Sequence, residues 1–69
     1  MFLYRLEAKG KGFPDSQLFV LAEDEEGAFA SAEALLERSA LGLITIDEFA
    51  IIEKKRAEKG SGYVVETTN

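Results

Sequence analysis

The sequence predicts an α+β domain in the order β-β-α-β-β, with one helix packed on a mostly antiparallel four-stranded sheet. Three observations predict this fold. Polar and apolar residues alternate near the start of the chain, an apolar run leads into four consecutive acids, and apolar residues then recur at helical spacing. The 69 residues leave room for a single small domain, 1–69.

The first two predicted strands are joined by a segment rich in turn formers. From Phe2 to Lys9 the side chains alternate between two sides, which is typical of a half-buried strand. Residues 10–16, GKGFPDS, return the chain as a loose hairpin. The second strand is predicted over Gln17–Ala22, and its apolar residues fall on both of its sides.

The helix is predicted to begin at the acidic cluster, Glu23–Glu26. Asp24 is the predicted N-cap, because its carboxylate can accept a hydrogen bond from a free backbone N–H group. The acids of the first turn suit the positive end of the helix dipole, and Gly42 is the predicted stop signal. The apolar face of the helix consists of Ala28, Phe29, Ala32, Leu35 and Leu36.

Two interpretations are open for residues 43–59. Thr45–Glu48 fits a capping box, and helix formers follow it. The continuous apolar block Phe49–Ile52, with no helical stripe beyond it, favours a strand over Glu48–Arg56, followed by a fourth strand over Tyr63–Thr67. A crossover through the helix then makes strands two and three run in the same direction. The acidic cluster and the bases of residues 54–59 therefore lie at the same edge of the domain, where their charges can compensate each other.

One helix covers one sheet face, and the second face also carries apolar residues. An exposed apolar patch of this kind normally marks an interface. A short chain without Cys also lacks disulfides, which leaves association as a route to stability. We expect a non-enzymatic protein that acts through protein association, most simply as a homodimer. The expected interface residues are Phe19, Leu21, Ile52 and Val64.

Two other functions are compatible with the residue pattern. A nucleic-acid- or ribosome-associated accessory domain would use the basic turn that follows the third strand, although the net charge of −5 opposes general affinity for nucleic acid. The residues of this alternative are Lys54, Lys55, Arg56 and Lys59. A small-ligand regulatory domain would place its site at a subunit interface.

The composition argues against catalysis. The chain has no His and no Cys, which removes the usual nucleophilic triads and the commonest metal ligands. The acidic cluster lacks the spacing of a calcium loop, and the glycines of residues 9–12 and 59–62 match no phosphate-binding fingerprint. We therefore expect no catalytic residue, no metal site and no cofactor.

The expected location is cytoplasmic. No apolar run approaches the roughly 18 residues of a membrane span, so no membrane partner is expected. The first residues lack the pattern of a signal peptide. The absence of Cys and His and the many glutamates are in keeping with a thermophilic origin.

Four short motifs follow one another along the chain: Leu3-Tyr4-Arg5, Ala22-Glu23-x-x-Glu26-x-Ala28-Phe29, Glu53-Lys54-Lys55-Arg56 and Gly60-Ser61-Gly62-Tyr63-Val64. Their order resembles a family of small bacterial proteins of unknown function. This resemblance implies a domain type without a chemistry, and it favours the strand over Glu48–Arg56. The unit Phe19–Glu37 also resembles the corresponding unit of the archaeal ribosomal protein LX, whose basic family binds ribosomal RNA, whereas this chain is acidic.

Overall fold

The computed structural model describes residues 1–66. Its elements are β1 (Phe2–Lys11), β2 (Ser16–Ala22), α1 (Glu25–Ser39) and β3 (Thr45–Arg56). The sheet has the order β2-β1-β3, and β1 is antiparallel to both neighbours. The α+β class is therefore confirmed, and β2 and β3 run in the same direction, as the crossover predicted. β1 lies between them, a strand order that the sequence pattern leaves open.

The fourth strand predicted over Tyr63–Thr67 is not found among the described residues. Residues 61–66 belong to no strand, and Thr67 lies outside the described part of the chain. The chain turns after β3, as predicted, but the residues that follow lie against the sheet instead of pairing with β3, and the Tyr63 hydroxyl donates to the Leu3 carbonyl at 2.6 Å. Gly60 takes a φ of +89°, and the Ser61 hydroxyl donates to the Arg56 carbonyl at 2.8 Å while it accepts the Glu58 N–H at 3.1 Å. The sheet of the described residues thus has three strands.

The strand interpretation of Glu48–Arg56 is confirmed, and the alternative helix is wrong. β3 begins at Thr45, three residues before the predicted start. α1 ends at Ser39, and its C-cap is Ala40, whose N–H donates to the Leu36 carbonyl at 3.1 Å. Gly42 is therefore not the helix stop.

The beginning of α1 agrees with the prediction. Asp24 is the N-cap, and its Oδ1 accepts the Gly27 N–H at 2.8 Å. A Cβ atom at Gly27 would lie 3.1 Å from that oxygen, which is a tight contact. The cap therefore accounts for a glycine in the first turn, despite its low helix propensity.

The core lies between α1 and the face of the sheet that α1 covers. Alternation along β1 buries Tyr4, Leu6 and Ala8 on that face. The other buried apolar residues are Val20, Ala22, Ala28, Ala32 and Leu36. The rings of Phe29 and Phe49 pack edge to face, 5.0 Å between centroids, and extend the core toward β3.

The pairing of β1 with β3 is irregular at two positions. Between Arg5 and Leu6 the partners change from Glu53 to Ile51, which leaves Ile52 unpaired. A second shift occurs between Lys9 and Gly10. Such bulges bend a strand and locally disrupt its ladder. No helix of residues 1–66 is long and apolar enough to cross a lipid bilayer.

Candidate functional site

The sheet face away from α1, called the open face below, carries the exposed apolar residues of β2. Phe19 is 44% exposed and Leu21 is 58% exposed, although both are large and apolar. Leu21 pairs with Leu3 of β1, which is half-buried. The open face therefore has an apolar corner, which consists of Leu3, Phe19 and Leu21.

The structure brings together two of the four expected interface residues. Phe19 and Leu21 are both in β2, at the apolar corner. Ile52 is 43% exposed in the bulge of β3, with β1 between it and β2. Val64 is 87% exposed in residues 61–66, which we call the C-terminal segment. The four residues therefore do not form one continuous patch.

Tyr63 is a residue of this face that sequence reasoning missed. Its hydroxyl donates to the Leu3 carbonyl at 2.6 Å, and its ring lies 5.6 Å from the Phe19 ring. On its other side, the Lys55 Nζ lies 4.5 Å from the Tyr63 ring centroid and donates to the Gly62 carbonyl at 2.6 Å. The C-terminal segment is thus held against the open face. The sequence signal is an aromatic residue after a glycine turn, a pattern that predicts the start of a strand instead.

The pKa of the Tyr63 phenol reflects this position. Burial raises the pKa above its ordinary value of about 10, and the nearby Glu53 carboxylate raises it further. The Arg5 guanidinium lowers it by a smaller amount. The neutral phenol, which can donate to Leu3, is therefore the favoured form.

We expect the folded protein to lose stability above about pH 10. Tyr63 and Tyr4 both have raised pKa values, and for Tyr4 the main cause is burial. The contribution of the two neutral phenols to the free energy of unfolding is therefore complete below the unfolded-state pKa. It is lost as the pH rises through the folded-state pKa. Urea unfolding across this range, together with the ultraviolet absorbance of tyrosinate, measures the effect.

The chain has only these two tyrosines, which makes the assignment of each titration direct. Tyr63→Phe leaves Tyr4 as the single phenol, and Tyr4→Phe leaves Tyr63. If the Tyr63 phenol ionised at or below its ordinary pKa, the packing of the C-terminal segment against the open face would be refuted.

The centre of the open face is polar. Arg5 Nη1 lies 2.6 Å from Glu53 Oε1, and this ion pair joins β1 to β3. Arg5 Nε is buried and has no hydrogen-bond partner among the described residues. The ion pair separates the apolar corner from Ile52, so the corner on β2 is the apolar part of this face.

The basic residues of the nucleic-acid alternative do not form one patch. Lys54 and Arg56 pair with Tyr4 and Phe2, so they lie on the side of the sheet that carries α1. Lys54 Nζ is 4.8 Å from the Phe2 ring centroid there. Lys55 lies on the open face, where Tyr63 and Gly62 hold its ammonium group. Lys59 is exposed in the turn that follows.

The acidic cluster and the basic residues lie at the same end of the sheet, as predicted. Ala22 and Arg56, at the ends of β2 and β3, both pair with Phe2. Within residues 1–66, however, no ion pair joins the two groups; Glu23 Oε2 instead lies 3.5 Å from the Met1 amino group. The structure therefore confirms that the two charged groups lie at the same end of the sheet, but within residues 1–66 their charges are not paired directly.

One hollow adjoins the apolar corner. It measures about 430 Å³ and lies between Leu3, Leu21 and the turn after β3, where Ala57, Glu58, Lys59 and Ser61 line it. In the part of the chain that the structure describes, no group of three or more His, Cys, Asp or Glu side chains is placed to hold a metal ion.

A family model described as "Protein of unknown function (DUF3906)" matches residues 1–65. The resemblance to a small family of unknown function is thereby confirmed. No curated protein and no solved structure gives a significant match. The likeness to ribosomal protein LX stays a resemblance of about a third of the chain.

Proposed function

We propose that this chain, which belongs to the DUF3906 family of proteins of unknown function, is not an enzyme. Its proposed role depends on protein association, and the associated form is a homodimer. The apolar corner is the proposed contact surface, with Phe19 and Leu21 as its anchors. Ile52 and Val64, the other two expected interface residues, lie apart from the corner and are not part of the proposed contact surface.

The exposure of Phe19 and Leu21 is the observation that supports this proposal most directly. Four of the eight buried apolar residues of the described chain are alanines, whereas Phe19 and Leu21, which are large, are exposed next to each other. Burial of apolar surface is favourable by about 25 cal/mol per Å². Covering the corner would therefore add to a core that is small even for a short chain.

The nucleic-acid alternative is less favoured by the geometry. Binding to a phosphate backbone needs several basic groups on one surface, since its strength comes from the neutralisation of phosphates. Here Lys54 and Arg56 lie on one side of the sheet and Lys55 on the other. The net charge of −5 opposes the approach of a polyanion as well.

Phe19→Asp is expected to weaken the dimer by at least about 30-fold, which corresponds to the loss of a hot-spot residue worth about 2 kcal/mol. An aspartate in the contact would have to be desolvated without a partner. Sedimentation equilibrium and native mass spectrometry over a range of concentrations measure the dissociation constant.

The matched control is Leu43→Asp, which introduces the same charge at a fully exposed leucine between α1 and β3. Its dissociation constant should equal that of the wild type. A wild-type chain that stays monomeric at all concentrations would refute the proposal. An unchanged dissociation constant for Phe19→Asp would refute it as well. RNA that co-purifies with the wild type and leaves at high salt would favour the alternative.

A further inference from the structure

We propose that the two copies associate by pairing β2 with β2 of the second copy, in antiparallel orientation, so that two three-stranded sheets become one sheet of six strands. The inference depends on the proposed homodimer and adds its geometry. In this geometry the two copies contact each other along the outer edge of β2, and not across the whole open face.

The two edge strands of the sheet differ in how well they are protected against such pairing. The order β2-β1-β3 leaves β2 and β3 at the edges. β3 has six charged residues and two irregular positions, which are features that keep an edge from pairing. β2 reads SQLFVLA, without a charge or a proline, and its register with β1 is regular. Such an edge is a template for another strand.

The helix adds an exposed leucine beside this edge. Phe29 packs against Phe49 of β3, which fixes the side of α1 that faces β3. At about 100° per residue, Leu35 lies on the other side of the buried stripe, toward the outer edge of β2. Leu35 is 40% exposed. The edge is therefore flanked by apolar side chains on both faces of the sheet, Leu35 on one and Phe19 with Leu21 on the other.

Charge indicates a second copy as the occupant of the edge. The chain has a net charge of −5, so contact through most of its surface would bring acids together. β2 carries no charge, so pairing Ser16–Ala22 with itself brings no like charges together within the paired strands. An antiparallel pair of identical strands also has the two-fold symmetry that most homodimers adopt.

The middle residue of Ser16–Ala22 is Phe19, so we place the two-fold axis there. Phe19 then lies opposite Phe19 of the second copy, and Gln17 lies opposite Leu21 of the second copy. Opposite residues of an antiparallel pair have Cα atoms about 4.5–5.5 Å apart, which brings the two phenylalanine rings into contact. Ile52, in β3, lies at the far edge and remains outside the contact.

Hydrogen exchange of the wild-type protein tests the pairing without any substitution. Every second amide of β2 points away from β1 and has no partner in the monomer. When the concentration is raised through the dissociation constant, these amides should exchange at least about tenfold more slowly. The outward amides of β3 serve as the internal control and should not change. A dimer in which the outward amides of β2 exchange as fast as in the monomer would overturn the pairing.

Cysteine substitution locates the axis, because the chain has no native Cys. Because Phe19→Cys removes a proposed anchor, it is oxidised at a protein concentration well above its own dissociation constant. It should then form a disulfide-linked dimer, since opposed Cα atoms lie within disulfide range. Ile52→Cys is the control and should remain largely uncrosslinked. Rapid crosslinking of Ile52→Cys with none at Phe19→Cys would indicate packing of the open faces and overturn the pairing, while the homodimer would stand. Monomeric wild-type protein in native mass spectrometry would instead refute the homodimer itself.

Discussion

Leu6→Ala is expected to lower the free energy of unfolding by about 2–5 kcal/mol. Leu6 is fully buried near the middle of β1, where it pairs with Leu18 of β2 and Ile51 of β3. A domain of this length has a total stability of only about 3–10 kcal/mol. The variant should therefore be partly or wholly unfolded at room temperature. Urea denaturation followed by circular dichroism, at one fixed protein concentration, measures the loss.

The control for this substitution is Leu43→Ala, which removes the same atoms from a fully exposed side chain. Its free energy of unfolding should stay within about 0.5 kcal/mol of the wild type. Similar losses in the two variants would contradict a core centred on β1. Because dimerisation stabilises the folded state by mass action, both variants must be compared at the same concentration.

The elements with a clear period were predictable from the sequence. Strict alternation in β1 and the apolar stripe of α1 each identify one buried face, so residue type and spacing were sufficient there. The strand Glu48–Arg56 was harder, because helix formers such as Glu53 and Lys54 follow its apolar block. Pairing with β1 decides its state, and such tertiary contacts override local helix propensity.

The predicted fourth strand shows where local pattern was insufficient. Tyr63, Val64 and Val65 have high β-propensity, which mainly describes how well a side chain fits a half-buried pleated surface. The Tyr63 ring packs on such a surface beside Phe19, and its hydroxyl donates a hydrogen bond to the Leu3 carbonyl. These contacts place the segment on the open face instead of beside β3. A sequence pattern holds no information about which acceptor a distant hydroxyl will reach.

The candidate surface was predictable only in part. The apolar residues on both sides of β2 indicated that Phe19 and Leu21 would lie away from the helix, and the structure exposes both. Alternation along a strand separates Lys54 from Lys55, so the division of the basic residues between two faces also follows from the sequence pattern. The role of Leu35 depends on which side of α1 faces β3, and only the packing of Phe29 on Phe49 shows that.

Gly10→Ala is expected to cost about 3 kcal/mol or more, at the upper end of the range for overpacking. A Cβ atom at Gly10 would lie 1.9 Å from the carbonyl oxygen of Thr45 and 3.0 Å from Cα of Ile46. Both are backbone atoms of the neighbouring strand, which cannot move aside as a flexible side-chain end could. The variant must therefore separate the start of β3 from β1. Urea denaturation measures the loss, and amide chemical shifts should change most around Thr45.

Gly42→Ala is the matched control, because no atom lies within 4 Å of the added Cβ and its φ is not positive. It should be neutral or stabilising by up to about 1 kcal/mol, since alanine restricts the unfolded chain. Wild-type stability of Gly10→Ala would show that β3 does not approach β1 so closely. A large loss confined to Gly10→Ala would explain why a glycine follows Lys9 near the end of β1. The close approach of β3 requires it there, with no need for a phosphate ligand.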